Sequence, residues 1–416
     1  MDNIKQKGKM HYGWIITFGC GMVVFYTVGL AFNCISLYLN PLMDVLAINN
    51  TLRSSMTMFY QSGSVIALLM VGKVIDKIGS RRSILYFSLF MAIGYVILGI
   101  TKSLMLAYVG MLIIGIGYGL CGLVPVTYML TNWFNEKRGL AIGIAMCGSG
   151  VATLFAPTLV NMVISSLGVK AAFFIQACLI TVFAFASFAI LRDFPEEKGL
   201  KPYGDNSEEN EGKAEEKKNI RFGEALKDRS FLLLSLTLLI MGIMISPFIQ
   251  HLSPVISQSG YSQTIASTVV SMYGIIMIIG KPLFGTVMDK FGVMKANTYA
   301  FALLLLATVF GTMLDGTNIC AYLIPVCMGI GSAPLVTVAL PVWTSTLFGK
   351  KGVGNLFAML KMVYTVGGII GASIPGIIFD NKGSYALLFK LYFVIAITSY
   401  CLLTYIFIRD KKLNNK

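Results

Sequence analysis

Two lysines stand where a charge is costly. Lys281 lies eight residues before Asp289, which opens a polar turn, and eight helical residues rise about 12 Å. Lys361 lies ten residues past Lys351, about 15 Å along a helix. Both sit inside long apolar runs, where a central lysine costs roughly 2.5–3.5 kcal/mol even on the lenient insertion scale. A carboxylate at the same depth would offset that cost, and the sequence offers none. Eleven of the 19 acidic residues fall in one polar segment; Asp2, Asp44, Asp76, Glu136, Asp289, Asp315, Asp380 and Asp410 fall in loops, helix ends or tails. Three readings exist for such lysines. The stem can snorkel to the headgroups, as Lys390 can from near a helix end. The ammonium can bond backbone carbonyls of a neighbouring helix. Or it faces a watery cavity whose counter-ion arrives from outside, an anionic substrate. The last reading fits the depth of Lys361 best.

The elements that must position these lysines are membrane helices. Of 416 residues, 56% are hydrophobic and 12% charged, with mean hydropathy +0.76; soluble domains carry about 25% charged residues. Twelve apolar runs recur between residues 12 and 408, each long enough to cross a core of about 30 Å. The expected fold class is an all-α membrane protein with 12 transmembrane helices. No range remains for a soluble domain, and the first helix is expected to act as an uncleaved signal anchor. The net charge of +14 does not point to nucleic acid. Seventeen Lys and Arg fall in the loops and tails of one side against five on the other, the asymmetry of a cytoplasmic face. Both termini are therefore expected in the cytoplasm and the chain in the plasma membrane. Eight cysteines form no CxxC pair and only two histidines exist, so no metal site or cofactor is expected. Without a P-loop, a metal set or an intramembrane acid or histidine pair, an enzyme is not expected.

Residues 193–229 carry the eleven clustered acids and no apolar run. They read as a solvated linker, with a short amphipathic helix near Arg221–Leu226. The expected domains are a six-helix bundle over 1–192, this linker, and a second six-helix bundle over 230–416. The halves repeat. VGKVIDKIGSRR (71–82) aligns with FGTVMDKFGVMK (284–295), placing Asp76 over Asp289, and NEKRG (135–139) aligns with FGKKG (348–352) at the same offset of 213. Parallel repeats of this kind build transporters with the substrate site at the repeat interface.

GKVIDKIGSRR resembles the loop signature that joins the second and third helices in the major facilitator superfamily, and 285–295 resembles its repeat between helices eight and nine. The resemblance implies two pseudo-symmetric six-helix bundles. It gives gating or structural roles to Gly72, Asp76, Arg81 and Arg82 and to Gly285, Asp289 and Lys290. Gly72 and Gly79 allow close approach and a tight turn, Asp76 caps or pairs with a neighbouring helix end, and Arg81 and Arg82 bind its partners. A narrower resemblance sits at 132–150, NWFNEKRGLAIGIAMCGSG. It is similar to the fifth-helix signature of the monocarboxylate transporters and of the bacterial oxalate:formate antiporter family, as the start MHYGWIITFG (10–19) is to their first helix. In the oxalate:formate family, helices eight and eleven carry an arginine and a lysine that bind carboxylate. Lys361 matches that lysine. Lys281 stands where arginine is usual, just before Pro282, so a point charge replaces a planar fork.

The offset places Leu68 and Gly148 opposite the two lysines, so the positive wall belongs to the C-terminal half. Helical spacing puts Phe357, Tyr364 and Thr365 beside Lys361. Depth suggests Tyr26, Asn33, Tyr60, Gln61, Tyr118, Tyr273 and Trp343 as further lining, with helix packing the alternative for each. Trp343 also suits an interfacial anchor. The expected function is secondary transport of small organic anions, mono- or dicarboxylates such as oxalate or formate, by alternating access and anion exchange in a monomer. The alternative is proton-linked symport of lactate- or pyruvate-like acids, with Lys281 taking the proton. A membrane sensor on the same fold is the reading from another class.

Overall fold

The computed structural model describes residues 11–48, 50–204, 227–314, 319–349, 353–372 and 374–414. Its twelve long apolar helices are α1 (Tyr12–Asn33), α2 (Ser55–Ile78), α3 (Ser80–Ile100), α4 (Leu104–Trp133), α5 (Arg138–Ala156), α6 (Leu159–Ile190), α7 (Arg229–Ile249), α8 (Thr268–Phe291), α9 (Val293–Thr312), α10 (Cys320–Phe348), α11 (Gly354–Phe379) and α12 (Ala386–Lys412). One helical run spans Arg138–Ile190 and reverses at Gly168, whose φ of 83° and ψ of 164° break it, so the first residues of the α6 range, up to Leu167, continue α5. An even number of crossings puts both chain ends on one face, called the terminal face below.

The repeat read in the sequence is visible in the backbone. Gly79 joins α2 to α3 at φ 81°, ψ 162°, and Gly292, 213 residues on, joins α8 to α9 at φ 86°, ψ 162°. A side chain is strained at such angles, which is why both turns use glycine. Two helices depart from regular geometry where they meet the protein centre. The second half of α1, Phe25–Asn33, is π-helical, as is Leu335–Ala339 in α10. The widened turn re-aims side chains and is common at functional sites. Large aromatics such as Trp133, Tyr95, Phe173 and Phe248 are fully buried between helices, whereas Phe18, Met105, Leu167 and Ile279 face outward. Apolar residues on both sides of a helix are the mark of a bundle solvated by lipid.

The acidic segment departs from its reading as a solvated linker over Asp193–Tyr203. Asp193 Oδ1 accepts the Arg81 backbone N–H at 2.8 Å, capping α3 from outside. Pro195–Lys198 forms a 3-10 turn. Tyr203 then pairs with the end of α4: its N–H donates to the Trp133 carbonyl at 2.9 Å, and its carbonyl accepts from Asn135. Orphan backbone groups at the ends of α3 and α4 thus find partners in the strap, which is what holds it down. Burial raises the Asp193 carboxyl above the usual carboxylate range, against the lowering effect of N–H groups from Arg81 and Ser80. The helix expected near Arg221–Leu226 lies outside the described residues.

Candidate functional site

A cavity of about 220 Å³ lies between the two halves, lined from α1, α2, α4, α5, α7, α8, α10 and α11. It is smaller than the roughly 300–1,000 Å³ of drug-sized pockets, so it suits a substrate of few atoms. Both lysines reach it, and no Asp or Glu is among its lining residues.

Lys281 reaches it with its charge already engaged. The residue is 2% exposed, and Nζ donates to the Ser149 hydroxyl at 2.8 Å and to the Met146 carbonyl at 3.1 Å. Both acceptors belong to α5, on the opposite half. The neighbouring-carbonyl reading is therefore part of the answer for this lysine. An ammonium has three donors, so one remains for the cavity. Sequence explains how α8 comes so near α5. Gly143 faces the Lys281 backbone, where an added Cβ would lie 2.6 Å from the carbonyl oxygen. Pro282 has no N–H to offer the Ile278 carbonyl four residues back. Cys147 of α5 donates its Sγ–H to that freed carbonyl at 3.1 Å. Gly139, Gly143, Cys147 and Gly150 form one stripe along α5, the small-residue spacing that lets membrane helices close.

Lys361 is held differently. Its Nζ lies 4.6 Å from the centroid of the Tyr364 ring, one turn along the same helix. A cation over a ring face is attracted by the quadrupole, by about 0.5–2 kcal/mol. Among the described residues no carboxylate pairs with it. Thr365, also lining the cavity, returns its hydroxyl to the Lys361 carbonyl at 2.9 Å.

The facing wall is aromatic. Phe32 stacks on Tyr118 at 5.4 Å and 11°, and Tyr60 lies 5.8 Å from Tyr118. The Tyr60 hydroxyl is buried and has no hydrogen-bond partner among the described residues, although its side chain lines the cavity. Asn33 lines the cavity and donates to Thr153 at 2.7 Å; Gln61 and Tyr273 line it too.

Three suggested residues lie elsewhere. Phe357 is buried and absent from the lining: it shares the helix face of Lys361 but lies one turn nearer the terminal face. Tyr26 is fully buried against α3, where its hydroxyl bonds Ser88 at 2.8 Å. Trp343 is neither lining nor interfacial anchor: it is fully buried, with its indole N–H donating to Asn297 at 3.1 Å. Gly148, opposite Lys361 in the repeat, packs on Gly21 of α1. Tyr26 turns toward α3 and Trp343 toward α9, so their azimuth is wrong, whereas Phe357 is one turn too near the terminal face. Phe32, Ser149, Ser246, Ser332, Val336 and Thr337 line the cavity and were not anticipated. The repeat holds a signal for all of these except Ser149. Phe32 with Ile245, Asn33 with Ser246, Tyr60 with Tyr273, Leu68 with Lys281, Gly119 with Ser332 and Val124 with Thr337 all stand 213 apart, and every one lines the cavity.

The signature loops lie on the terminal face and touch the opposite half. Asp289 accepts the N–H groups of Gly139 at 3.0 Å and Leu140 at 2.8 Å, capping the first turn of α5. A carboxylate there satisfies orphan donors and meets the positive end of the helix dipole. Gly285 packs directly on the Gly139 backbone, where a Cβ would collide. Gly72 likewise abuts Asn355 of α11, whose amide donates to Asp76 at 3.2 Å. Arg81 does not bind the partners of Asp76. Its guanidinium donates to the Phe188 carbonyl at 3.0 Å and lies 4.0 Å over the Phe188 ring, at the end of α6. Arg82 and Lys290 are exposed. With both loops engaged, the terminal face is closed in this conformation.

Twelve helices in a repeated pair of bundles around a central cavity define a secondary-transporter architecture. The family description Major Facilitator Superfamily matches residues 14–372. The chain belongs to that superfamily and is a membrane transporter, not an enzyme. Monocarboxylate transporter 12 of Mus musculus is 23% identical over 412 residues, covering 91% of this chain and 82% of that one. Monocarboxylate transporter 4 of Rattus norvegicus is 22% identical over 394 residues, covering 91% and 80%. Among solved structures, the human organic anion transporter MFSD10 superposes with TM-score 0.74 at 16% identity, covering 95% of this chain and all of that one. The fucose:proton symporter FucP, in the outward conformation, gives 0.68 at 16% identity over 93% and 99%.

Proposed function

We propose that this transporter carries small carboxylates by alternating access and exchanges one anion for another, taking monocarboxylates before dicarboxylates such as oxalate. The observation that carries the reading is the pair of cavity lysines with no acid among the lining residues. The preference follows from their unequal availability. Two of the three donors of Lys281 are spent on α5, whereas the Lys361 ammonium has a ring face and the cavity. Among the described residues the cavity thus has one ammonium not tied across the halves, which matches one carboxylate. The small volume and the phenol of Tyr60 suit a short chain with a polar substituent. The relatives named monocarboxylate transporters support the same class. The loop charges support a cytoplasmic terminal face. A site formed between the two halves of a single chain supports a carrier that works as a monomer in the plasma membrane.

Exchange follows from electrostatics. An empty cavity must reorganise around two unneutralised ammonium groups, while a bound carboxylate lowers that cost. The test is counterflow in proteoliposomes loaded with lactate, formate, oxalate or nothing, at one pH. Labelled lactate is expected to enter loaded vesicles and hardly any empty ones, and labelled oxalate to enter more slowly. Uptake into empty vesicles that grows with an inward proton gradient would replace exchange by proton-linked symport, with a lysine as proton carrier. No movement of any carboxylate would remove the anion reading altogether.

A further inference from the structure

We propose that Ser149 is a positioning residue that holds the empty carrier shut on its terminal face, by acting with the Met146 carbonyl as the stand-in partner of Lys281. The inference concerns alternating access itself and does not rest on which anion is carried.

The contact is built for one job. Ser149 is 3% exposed, and its hydroxyl donates to the Met146 carbonyl at 2.9 Å. That bond fixes the proton and turns an oxygen lone pair toward Lys281, whose Nζ lies 2.8 Å away. The Met146 carbonyl accepts from both. The triangle spans the two halves, since Lys281 is on α8 and both acceptors are on α5. It sits in the seam that the stripe from Gly139 to Gly150 allows to close, above the Asp289 cap on the first turn of α5. Rocking the halves to open the terminal face must part this seam. Lys281 then loses both acceptors, and the lining holds no acid to replace them. A buried ammonium left unpaired is strongly disfavoured. A bound anion is the one group able to take over. Among the described residues Lys361 has no such tie: it rests on the Tyr364 ring of its own helix, a contact that stays within one half when the halves separate.

The test measures conformation without substrate. Spin labels on a non-canonical residue at positions 73 and 290 leave the eight native cysteines in place. Both positions are exposed, at the terminal-face ends of α2 and α8. Inter-label distances are recorded in a carboxylate-free buffer. Ser149→Ala is expected to raise the open population about tenfold, the effect of losing one hydrogen bond to a charged group. Ser149→Thr keeps the hydroxyl and is expected to restore the closed distribution. Ser149→Cys, close in volume with a weaker partner, is expected to fall between. In a Lys281→Met background Ser149→Ala is expected to add nothing, because the residue acts through the ammonium. An unchanged distribution in Ser149→Ala would overturn the proposal. So would Ser149→Thr opening as far as Ser149→Ala, which would mean packing and not the hydroxyl. Equal opening with and without Lys281 would do the same. All of these readings stand whether or not a carboxylate proves to be the cargo.

Discussion

Lys281 and Lys361 face one cavity and carry the same charge, yet the protein accommodates them in different ways. Lys281 is fastened across the halves to a hydroxyl and a carbonyl of α5. Lys361 stays within its own helix, over the ring of Tyr364. The repeat makes the asymmetry sharper. The counterpart of Lys281 in the first half is Leu68, which also lines the cavity, and the counterpart of Lys361 is Gly148, which packs on α1 instead. Duplication supplied the frame, and only the second half placed charges in it. The difference fits the proposed division of labour, in which Lys361 grips the anion and Lys281 reports to the opposite half whether an anion is present.

The largest expected effect is at Lys361. Lys361→Met is expected to lower exchange and net uptake together, by about 100-fold or more, as a lost charged contact of about 3 kcal/mol requires. Equal loss of both rates, measured in proteoliposomes, marks a gripping residue. Lys281→Met is expected to differ in kind. Exchange falls about tenfold, while the ratio of net uptake to exchange rises, because the empty carrier no longer has a charge to strand. If the two variants behaved alike, the division of labour would be wrong.

The same comparison extends to the terminal-face caps. Asp289 holds two backbone N–H groups of α5, whereas the described partner of Asp76 is a single side-chain amide. Asp289→Ala is expected to weaken closure by about 1–2 kcal/mol and Asp76→Ala by less than about 1 kcal/mol, read as open populations by distance measurement. Smaller still is the ring beneath Lys361. Tyr364→Leu is expected to weaken lactate binding several-fold, as loss of a cation–π contact of about 1 kcal/mol predicts, while Tyr364→Phe stays near wild type. Titration calorimetry would separate them, and equal losses would assign the role to the hydroxyl and not the ring.

Much of this was legible in the sequence because membrane physics leaves few solutions. Apolar length fixed the count of crossings, and the shared register of the loops at Asp76 and Asp289 exposed the duplication. The absence of acids in the apolar runs singled out Lys281 and Lys361. Azimuth was harder. A helix in lipid is apolar all round, so hydrophobic periodicity does not mark its inner face, and Tyr26 and Trp343 were placed by depth alone; Phe357, placed by helical spacing from Lys361, lies one turn outside the lining. The π-helical turns at Phe25–Asn33 and Leu335–Ala339 rotate the residues that follow and have no simple sequence mark. Ser149 was invisible because one serine in a small-residue stripe reads as packing until a lysine is found beside it. The strap at Asp193–Tyr203 was misread because its acids suggested solvent, whereas Asp193 caps α3.

The central claim is that the cavity recognises one carboxylate through Lys361. The most direct measurement is lactate binding by the purified protein, set against lactamide, which keeps the size and hydroxyl and lacks the charge. Binding of lactate and not lactamide by the wild type, lost in Lys361→Met and retained in part by Lys361→Arg, is the predicted result. Equal binding of lactate and lactamide, or lactate affinity unchanged in Lys361→Met, would contradict it.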